Sequence, residues 1–589
     1  MAPEISPLRY HRVTSYTGDT FLADQPHPDP LLVPGFVGRR AVRPPEVKTW
    51  DAGQTVDLPA TLPQSAFPAR QVLAGAPDAG GGEAARLDAA TLAALLFFAN
   101  GVVRYADYPW GRMHFRAAGS AGNLHPLEVY AVTREVAGLA DGVWHHDPLG
   151  HRLRRAGDAP PAGPSYLVVT GVPGRTGWKY AERGYRHVWW DAGTLTAQLL
   201  AVAEAHRVPA RVRLLFPDAG IAAGVGAAWP HEFPLVLITL GAGEPDVPPP
   251  AAATGRVAPD PLEFPLVTAT QAGTVPAAPG WREAAAAPGT GTVPGTGTAA
   301  RPGMAAGSGA AAGPDVAAGP GMAAGPGVAA QAPAAVPAEP IEQVILRRGS
   351  TRRFDPAAVL PADALIWAMT VATRELPWDA GPSLLEHRLL VHAIEGIPPG
   401  LYRWDGASGR PEPVTASGLP DAVLAAGAGQ AGTGPGRAGQ AGAGQAGAGQ
   451  AGMGSPEAGP GGAGPAEPAA GPQAGLAALR EESARLCMYQ ELGRDAAYVA
   501  VHCAEVDAIV ARLGPRGYRA AQFEAGVVEG RLHLALFTLG YGATGLTFID
   551  ELVPAITGGP PAMLVTAAGQ PAYQAVPGGP PRRPALIRG

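Results

Sequence analysis

The chain has little cysteine, little charge and no long apolar run. Its 589 residues include two cysteines, Cys487 and Cys503, too few for a disulfide framework or a cysteine-based metal site. Charged residues make up 16% of the chain and the formal net charge is −6, which does not indicate a nucleic-acid-binding surface. Neither a signal-peptide core nor a membrane-length apolar run appears, so we expect a cytoplasmic protein without membrane contacts.

Alanine, glycine and proline instead dominate two long stretches. Residues 273–340 consist almost only of Ala, Gly, Pro, Thr and Val, and residues 424–475 repeat "AGQAGAGQAG". Neither stretch offers large side chains to bury, and both are rich in residues that break helices and strands. We therefore predict a disordered linker and a low-complexity insertion. They leave two folded domains, residues 1–272 and residues 341–589, of which the second contains the insertion.

The two domains are related in sequence. Arg-Gly-Tyr-Arg, five residues and Ala-Gly occur in this order from Arg183 and again from Arg516. In each domain an amphipathic helix is predicted first, over 88–101 and 362–374, followed by short strands rich in Val, Leu and Ile and by further helices. This order predicts an α+β fold in which helices cover a mixed or antiparallel sheet. Two copies in one chain predict an internal pseudo-dimer.

The residues that both copies retain are expected to be architectural. Arg183, Tyr185 and Arg186 match Arg516, Tyr518 and Arg519. A feature present twice serves both domains equally, so we expect these arginines to form ion pairs between the domains rather than to perform chemistry.

One basic segment has the pattern of an anion site. In "RRGSTRRFD" (347–355), Arg348, Ser350 and Arg352 alternate, and alternate residues of an extended segment point to one side. Guanidinium groups and a hydroxyl on one side suit a phosphate. The alternative is a solvated basic stretch at the end of a linker. The C-terminal "PPRRPALIRG" adds Arg583 as a further candidate, and no G-x-G-x-x-G after a strand and no P-loop motif occurs.

Several segments resemble the FMN-dependent nitroreductase superfamily, and within it the SagB-type dehydrogenases. "RRGSTRRF" resembles the Arg-x-Ser-x-Arg segment that binds the FMN phosphate in that family. "RAAGSAGNLHPLE" (116–128) resembles its Ser-Ala-Gly loop against the flavin. "WKYAERGYRHVWWDAG" (178–193) resembles its Lys-Tyr segment, and "LGYGATGLTFIDELV" (539–553) resembles its late glycine-rich turn. The segments stand in the family's order.

The resemblance implies that FMN binds between the two domains. The second domain has "ELPWDAGPSLLEHRLL" (375–390) where the loop is expected, and the first has "LPQSAFPARQVLAG" (62–75) where the arginines are expected. The retained pieces are complementary, which predicts one complete FMN site and the loss of the symmetry-related one. The implied cofactor-binding residues are Arg116, Ser120, Ala121, Gly122, Asn123, Arg348, Ser350, Arg352, Gly545, Leu546 and Arg583.

Lys179 and Tyr180 are the catalytic residues that the resemblance implies. Oxidation of an azoline to an azole removes one C–H as hydride and another as a proton, so a base is needed beside the flavin. A desolvated lysine has a lowered pKa and suits this role. The second domain lacks the pair, since "ARLGPRGYR" stands there. The alternative is a surface lysine beside a packing tyrosine. No metal is expected, because His114, His145 and His146 have no partners at metal-ligand spacing.

The resulting expectation is an FMN-dependent oxidoreductase that oxidises heterocycles in a ribosomal peptide natural product. Its substrate would be a small molecule or a modified peptide, and peptide-modifying enzymes are its expected partners. One alternative is a nitro- or quinone reductase that uses NAD(P)H. Another is a degenerate flavin-fold scaffold that binds a peptide or a partner enzyme.

Overall fold

The computed structural model describes residues 5–18, 43–51, 53–75, 86–109, 111–275, 338–414 and 472–587. The predicted linker, apart from its two ends, and most of the predicted insertion lie outside the described residues. At their borders, a helix extends to Gly273 and another begins at Pro472.

The helices and strands follow the predicted order twice. The first domain contains helices α1 (Pro7–Val13), α2 (Ala69–Leu73), α3 (Ala89–Asn100), α4 (Pro173–Tyr180), α5 (Gly184–Ala205), α6 (Asp218–Val225) and α7 (Pro265–Gly273), and strands β1 (Thr55–Asp57), β2 (Val102–Tyr108), β3 (Gly111–Arg116), β4 (Leu127–Thr133), β5 (Gly142–Asp147), β6 (Arg152–Gly157), β7 (Ser165–Gly171), β8 (Ala210–Arg213) and β9 (Phe233–Leu240). The second contains helices α8 (Ile341–Arg347), α9 (Ala362–Ala372), α10 (Pro472–Leu486), α11 (Glu491–Asp495), α12 (Val506–Leu513), α13 (Arg516–Thr538) and α14 (Leu552–Thr557), and strands β10 (Glu386–Val391), β11 (Gly400–Asp405), β12 (Arg410–Pro413), β13 (Tyr498–Cys503), β14 (Gly542–Leu546), β15 (Ala562–Gly569) and β16 (Ala585–Leu586).

Each domain is built on one antiparallel sheet. The first has the strand order β1-β6-β5-β4-β7-β9-β8, and the second has β12-β11-β10-β13-β15-β14. The two orders coincide strand by strand from β6 and β12 onward, so β8 corresponds to β14. A small third sheet, β16-β2-β3, joins the C-terminal end of the chain to the first domain. The α+β class and the pseudo-dimer are thus confirmed.

The domains meet along their long central helices, α5 and α13, which are buried over almost their whole length. The helices cross at the Ala-Gly of the repeat. A Cβ atom on Gly193 would collide with the backbone of α13, and one on Gly526 would collide with the backbone of α5. Glycine at both positions permits this close approach, and a single apolar core extends through both domains.

The repeated arginines form ion pairs between the domains, as predicted. Asp550 of the second domain accepts hydrogen bonds from Arg183 at 2.6 Å and from Arg186 at 2.7 Å. Arg186 also donates to the hydroxyl of Thr14, just after α1, at 2.9 Å. All three charged side chains are buried.

The same arrangement recurs with the domains exchanged. Asp218 of the first domain accepts from Arg519 at 3.0 Å and also from Arg516. Arg519 donates to the hydroxyl of Thr274, just after α7, at 2.6 Å. Helix α7 therefore lies beside α13 of the second domain in the same way as α1 lies beside α5 of the first. Among the described residues, no helix is long and apolar enough to cross a membrane.

Candidate functional site

A cavity of about 730 Å³ opens between the two domains. The first domain contributes the loop 119–123, the end of α4, part of α5 and the β2–β3 hairpin. The second contributes the segment 349–352, part of α13, the strand β14 and the segment 573–576. Most of the predicted site residues lie together in its walls: Lys179, Tyr180, Ser120, Ala121, Gly122, Asn123, Ser350, Arg352, Gly545 and Leu546.

Two of the predicted cofactor-binding arginines lie elsewhere. Arg116 is buried and donates to the side chain of Asn100 at 2.7 Å and to the carbonyl oxygens of Leu127 and Glu46 at 3.1 and 2.6 Å. It holds β3 against β4 and does not line the cavity. Arg583 is exposed and is also absent from the cavity walls.

Arg348 supports the cavity without lining it. The helix α8 continues to Arg347, so Arg348 is its C-cap and the extended segment begins only after it. Its buried guanidinium group donates to the carbonyl oxygen of Ala117 and lies 3.4 Å from Nδ1 of His533. Ser350 and Arg352 do face the cavity. The sequence did not indicate Arg104 of β2, which also lines the cavity. Its guanidinium group donates to the carbonyl oxygen of Arg348 at 3.0 Å.

The loop 119–123 is anchored from behind and presents its backbone to the cavity. Asp191 of α5 accepts from the hydroxyl of Ser120 at 2.6 Å and from the backbone N–H of Ala121 at 3.0 Å. Burial raises the pKa of Asp191 to about 7. Gly122 and Asn123 have φ angles of 61° and 56°, a region in which glycine and asparagine are the favoured residues.

Lys179 and Tyr180 end helix α4 beside this loop. The ring of Tyr180 stacks on His187 with centroids 4.0 Å apart, and Lys179 Nζ lies 5.3 Å from the Tyr180 ring centroid. Burial, together with the positive charge of Arg352, lowers the pKa of Lys179. Burial raises the pKa of Tyr180 well above its usual value. At neutral pH the site therefore combines a protonated phenol with an amine that loses its proton more easily than an exposed lysine.

The residue after the pair has a strained backbone. Ala181 adopts φ 48° and ψ −138°, which a residue with a Cβ rarely does. Its neighbour Glu182 is held from two sides, since its carbonyl oxygen accepts from the hydroxyl of Tyr10 at 2.7 Å and its carboxylate accepts from the N–H of Val267 at 3.3 Å. These contacts fix the backbone turn that places Tyr180 at the cavity.

Comparison with known proteins identifies the fold. No family model matches the chain. A structure from Anabaena variabilis, provisionally named a nitroreductase, matches 97% of this chain and 100% of its own, with a TM-score of 0.60 and 18% identity. This chain has a nitroreductase-like fold.

Weaker similarities include a curated protein and a solved complex. A Methanocaldococcus jannaschii protein, provisionally named a nitroreductase, is 27% identical over an alignment of 104 residues, and the alignment covers 15% of this chain and 52% of that protein. The chain thus spans about half the length of this curated relative. An E. coli microcin synthetase complex with a bound propeptide gives a TM-score of 0.24 at 21% identity, over 27% of this chain and 65% of that one, too little similarity to support a conclusion.

The second domain of the nitroreductase-like fold contains a shortened counterpart of the loop. Glu524 of α13, which corresponds to Asp191, accepts from the N–H of Leu384 at 2.8 Å and from the hydroxyl of Ser383. Glu386 at the start of β10 comes three residues after Ser383, whereas the start of β4 comes seven residues after Ser120. The loop anchor is therefore retained in both domains, and the residues that face the cavity are retained in one.

The chain itself fills the symmetry-related position. Pro377 accepts at 2.8 Å from the N–H of Val212 in β8. The carboxylate of Asp379 accepts from the N–H of Leu214 at 2.9 Å and from that of the next residue at 3.1 Å. The strand β8 corresponds to β14, whose residues 544–547 line the open cavity. Within the described ranges, the segment 377–379 thus lies against β8, the strand whose counterpart lines the open cavity.

The counterpart of the basic segment lies outside the described residues. Pro68 and Pro340 pair with each other across the pseudo-two-fold axis. Helix α2, within the predicted stretch 62–75, is therefore the counterpart of α8. With the same offset along the sequence, residues 76–80, "APDAG", align with residues 348–352. The equivalent sequence has neither arginine.

Proposed function

We propose that the chain is an FMN-dependent oxidoreductase of the SagB type, with one FMN per chain in the open cavity. The asymmetry of the pseudo-dimer is the observation that carries this proposal. The open position, where the cavity lies, has the full-length loop, the Lys179–Tyr180 pair and the cations beside Ser350. The symmetry-related position, which we call the closed position, has a shortened loop and is filled by residues 377–379. At the sequence positions of the pair the second domain has Arg512 and Leu513.

The residues around the cavity suit FMN. A volume of about 730 Å³ is within the usual range for a site of this kind. Arg352, Arg104 and the hydroxyl of Ser350 would hold the phosphate. Gly122 and Gly545 also line the cavity, and the space that a Cβ would occupy is taken by Tyr180 at the first and by Glu529 at the second. Behind the basic segment, Arg348 Nε and Thr351 Oγ1 are buried and lack a hydrogen-bond partner within the described structure.

When bound, FMN supplies a hydride acceptor. Oxidation of an azoline also releases a proton, and we assign its removal to Lys179, because burial and Arg352 favour the neutral amine. Tyr180 stays protonated and can donate a hydrogen bond to the substrate or to the amine. The peptide nature of the substrate and the peptide-modifying partner enzymes rest on the sequence resemblance alone.

Flavin stoichiometry tests this proposal. The full-length protein is saturated with FMN, freed of excess cofactor and denatured, and the released flavin is quantified per chain. We expect a ratio of one. A ratio of two would contradict the closed second position. A protein that binds no FMN would favour the scaffold alternative, and a bound flavin reduced by NAD(P)H without turnover of an azoline peptide would favour the reductase.

Gly122→Ala should weaken FMN binding about 10- to 100-fold, which corresponds to 1–3 kcal/mol of backbone strain at this φ angle. A Cβ on Gly122 would lie 2.9 Å from Tyr180 Oη and 3.1 Å from Lys179 Cδ, so the catalytic pair would also shift. Gly119→Ala is the matched control, because its Cβ would make ordinary contacts of 3.6 Å with Arg348 and 3.7 Å with Thr194. Fluorescence titration measures both affinities, and equal affinities for the two variants would contradict the prediction.

A further inference from the structure

An acidic side chain that the sequence did not indicate lines the same cavity. Glu529 of α13 is 13% exposed and faces the cavity from the second domain. Its carboxyl group lies against Gly545 of β14, accepts the N–H of that residue, and would overlap any Cβ placed there. The side chain is therefore fixed between the helix and the strand, with its acidic end at the cavity wall.

The surroundings of Glu529 favour the neutral acid. His533 lies one helical turn away, with its Nε2 3.5 Å from Oε1 of Glu529. Burial and the adjacent Arg348 lower the pKa of His533 to about 3, so this histidine is uncharged. Asp191 faces the same region from α5. Burial, and then the charge of Asp191, raise the pKa of Glu529 to about 8, while Arg348 and the Gly545 N–H act in the opposite direction.

The pseudo-symmetry separates this acid from the structural acids nearby. Asp191 and Glu524 occupy equivalent positions and anchor a loop in each domain, which is an architectural role. Glu529 has Thr196 as its counterpart, and Gly545 has Val212. Glu529 and Gly545, like the Lys179–Tyr180 pair, therefore occur at the open position and have no equivalent at the closed one.

We propose that Glu529 is a neutral carboxylic acid that donates a hydrogen bond to the cofactor in the cavity and thereby favours the reduced cofactor. This inference rests on the proposed function. A donor beside an acceptor atom stabilises that atom more strongly when reduction adds electron density to it. When Glu529 ionises, it loses this hydrogen bond and adds a negative charge beside Asp191, which disfavours both binding and reduction.

The pH dependence follows from the direction of the shift. Glu529 is an acid with a raised pKa, so its proton is present at pH 7 and is lost as the pH rises past about 8. The other charged groups that face the cavity are Asp191, Lys179, Arg104 and Arg352, and they are the same in the variants compared below. FMN affinity of the unmodified protein should fall about tenfold between pH 7 and pH 9.5.

Three variants separate the roles. Glu529→Gln mimics the neutral acid, so its FMN affinity should stay within about threefold of the original at pH 7. Between pH 7 and pH 9.5 it should fall by less than the roughly tenfold decrease expected of the unmodified protein, since of the two acids only Asp191, whose pKa is about 7, still ionises. Glu529→Leu removes the donor and should lower the two-electron midpoint potential by about 30 mV, the equivalent of a tenfold change in preference for the reduced form. Glu524→Gln, on the same helix but anchoring the other loop, should keep the original pH dependence.

Fluorescence titration from pH 6 to 9.5 and a spectroscopic redox titration give the two readouts. The inference is overturned if FMN binds but Glu529→Gln keeps the original pH dependence, or if Glu524→Gln abolishes it. If Glu529→Leu does not fold, Glu529→Gln still decides. Absence of FMN binding to the unmodified protein overturns the proposed function instead.

Discussion

Lys179→Met should lower the rate of azoline oxidation by about 10²- to 10⁴-fold, the usual contribution of a general base, while FMN remains bound. The side chain stands at the cavity wall beside Tyr180 and is not among the residues assigned to the phosphate, which are Arg104, Ser350 and Arg352. Single-turnover reduction of bound FMN by an azoline peptide measures this step directly. FMN reduction by NAD(P)H, which needs no proton abstraction from carbon, should be retained.

The pH profile distinguishes a base from a residue that only contributes charge. The neutral amine is the active form, so the oxidation rate should rise with pH through the pKa of Lys179 and then level off. Because burial and Arg352 lower this pKa, the plateau should be reached at a lower pH than for an exposed lysine. Lys179→Arg keeps the charge but cannot lose its proton, and it should be as slow as the methionine variant. An arginine variant with the original rate would show that Lys179 is not the base.

The sequence was sufficient to predict the architecture, because the repeat constrains it twice. Periodic apolar residues predicted α3 and α9 to within two residues, and the shared Arg-Gly-Tyr-Arg pattern indicated the pairing that Asp218 and Asp550 complete. Apolar periodicity alone does not indicate that α5 begins as early as Gly184. The reason is that the Arg-Gly-Tyr-Arg segment is already helical but buries charged side chains, which an apolar pattern does not reveal.

The composition of the site was harder to predict, because it depends on contacts between distant segments. Alternation suggested that Arg348 faces the ligand, whereas the end of α8 turns it towards Ala117. Arg104 and Glu529 lie in a strand and a helix that are buried over most of their length, so no apolar pattern indicates which of their side chains face the cavity. Val212 in place of Gly545 marks the closed position, but this comparison requires the strand register.

Asp550→Asn should destabilise the protein by about 3–5 kcal/mol, since it leaves two buried guanidinium groups without their counter-charge. Arg183 and Arg186 are both buried and both donate to this carboxylate, and the backbone N–H of Tyr16 donates to it at 2.8 Å. The asparagine keeps the shape and one acceptor oxygen, so the loss reports mainly on charge. The midpoint of urea unfolding, followed by tryptophan fluorescence, measures the effect. Asp51→Asn is the control, because the Arg256–Asp51 pair is 67% and 81% exposed and should contribute below about 1 kcal/mol.

The effect of Asp550→Asn should depend on pH in a defined direction. Burial alone would raise the pKa of Asp550, but Arg183 and Arg186 outweigh it and hold the pKa below its usual value. A depressed carboxyl pKa stabilises the folded state above the unfolded pKa of about 4 and loses this contribution as the pH falls further. The difference between the original protein and the variant should therefore be largest near neutral pH and shrink in acid. Because Asp550 joins the second domain to α5 of the first, the variant should also lose FMN, whose proposed site lies between the domains. A variant as stable as Asp51→Asn would show that the buried ion pairs do not hold the pseudo-dimer together.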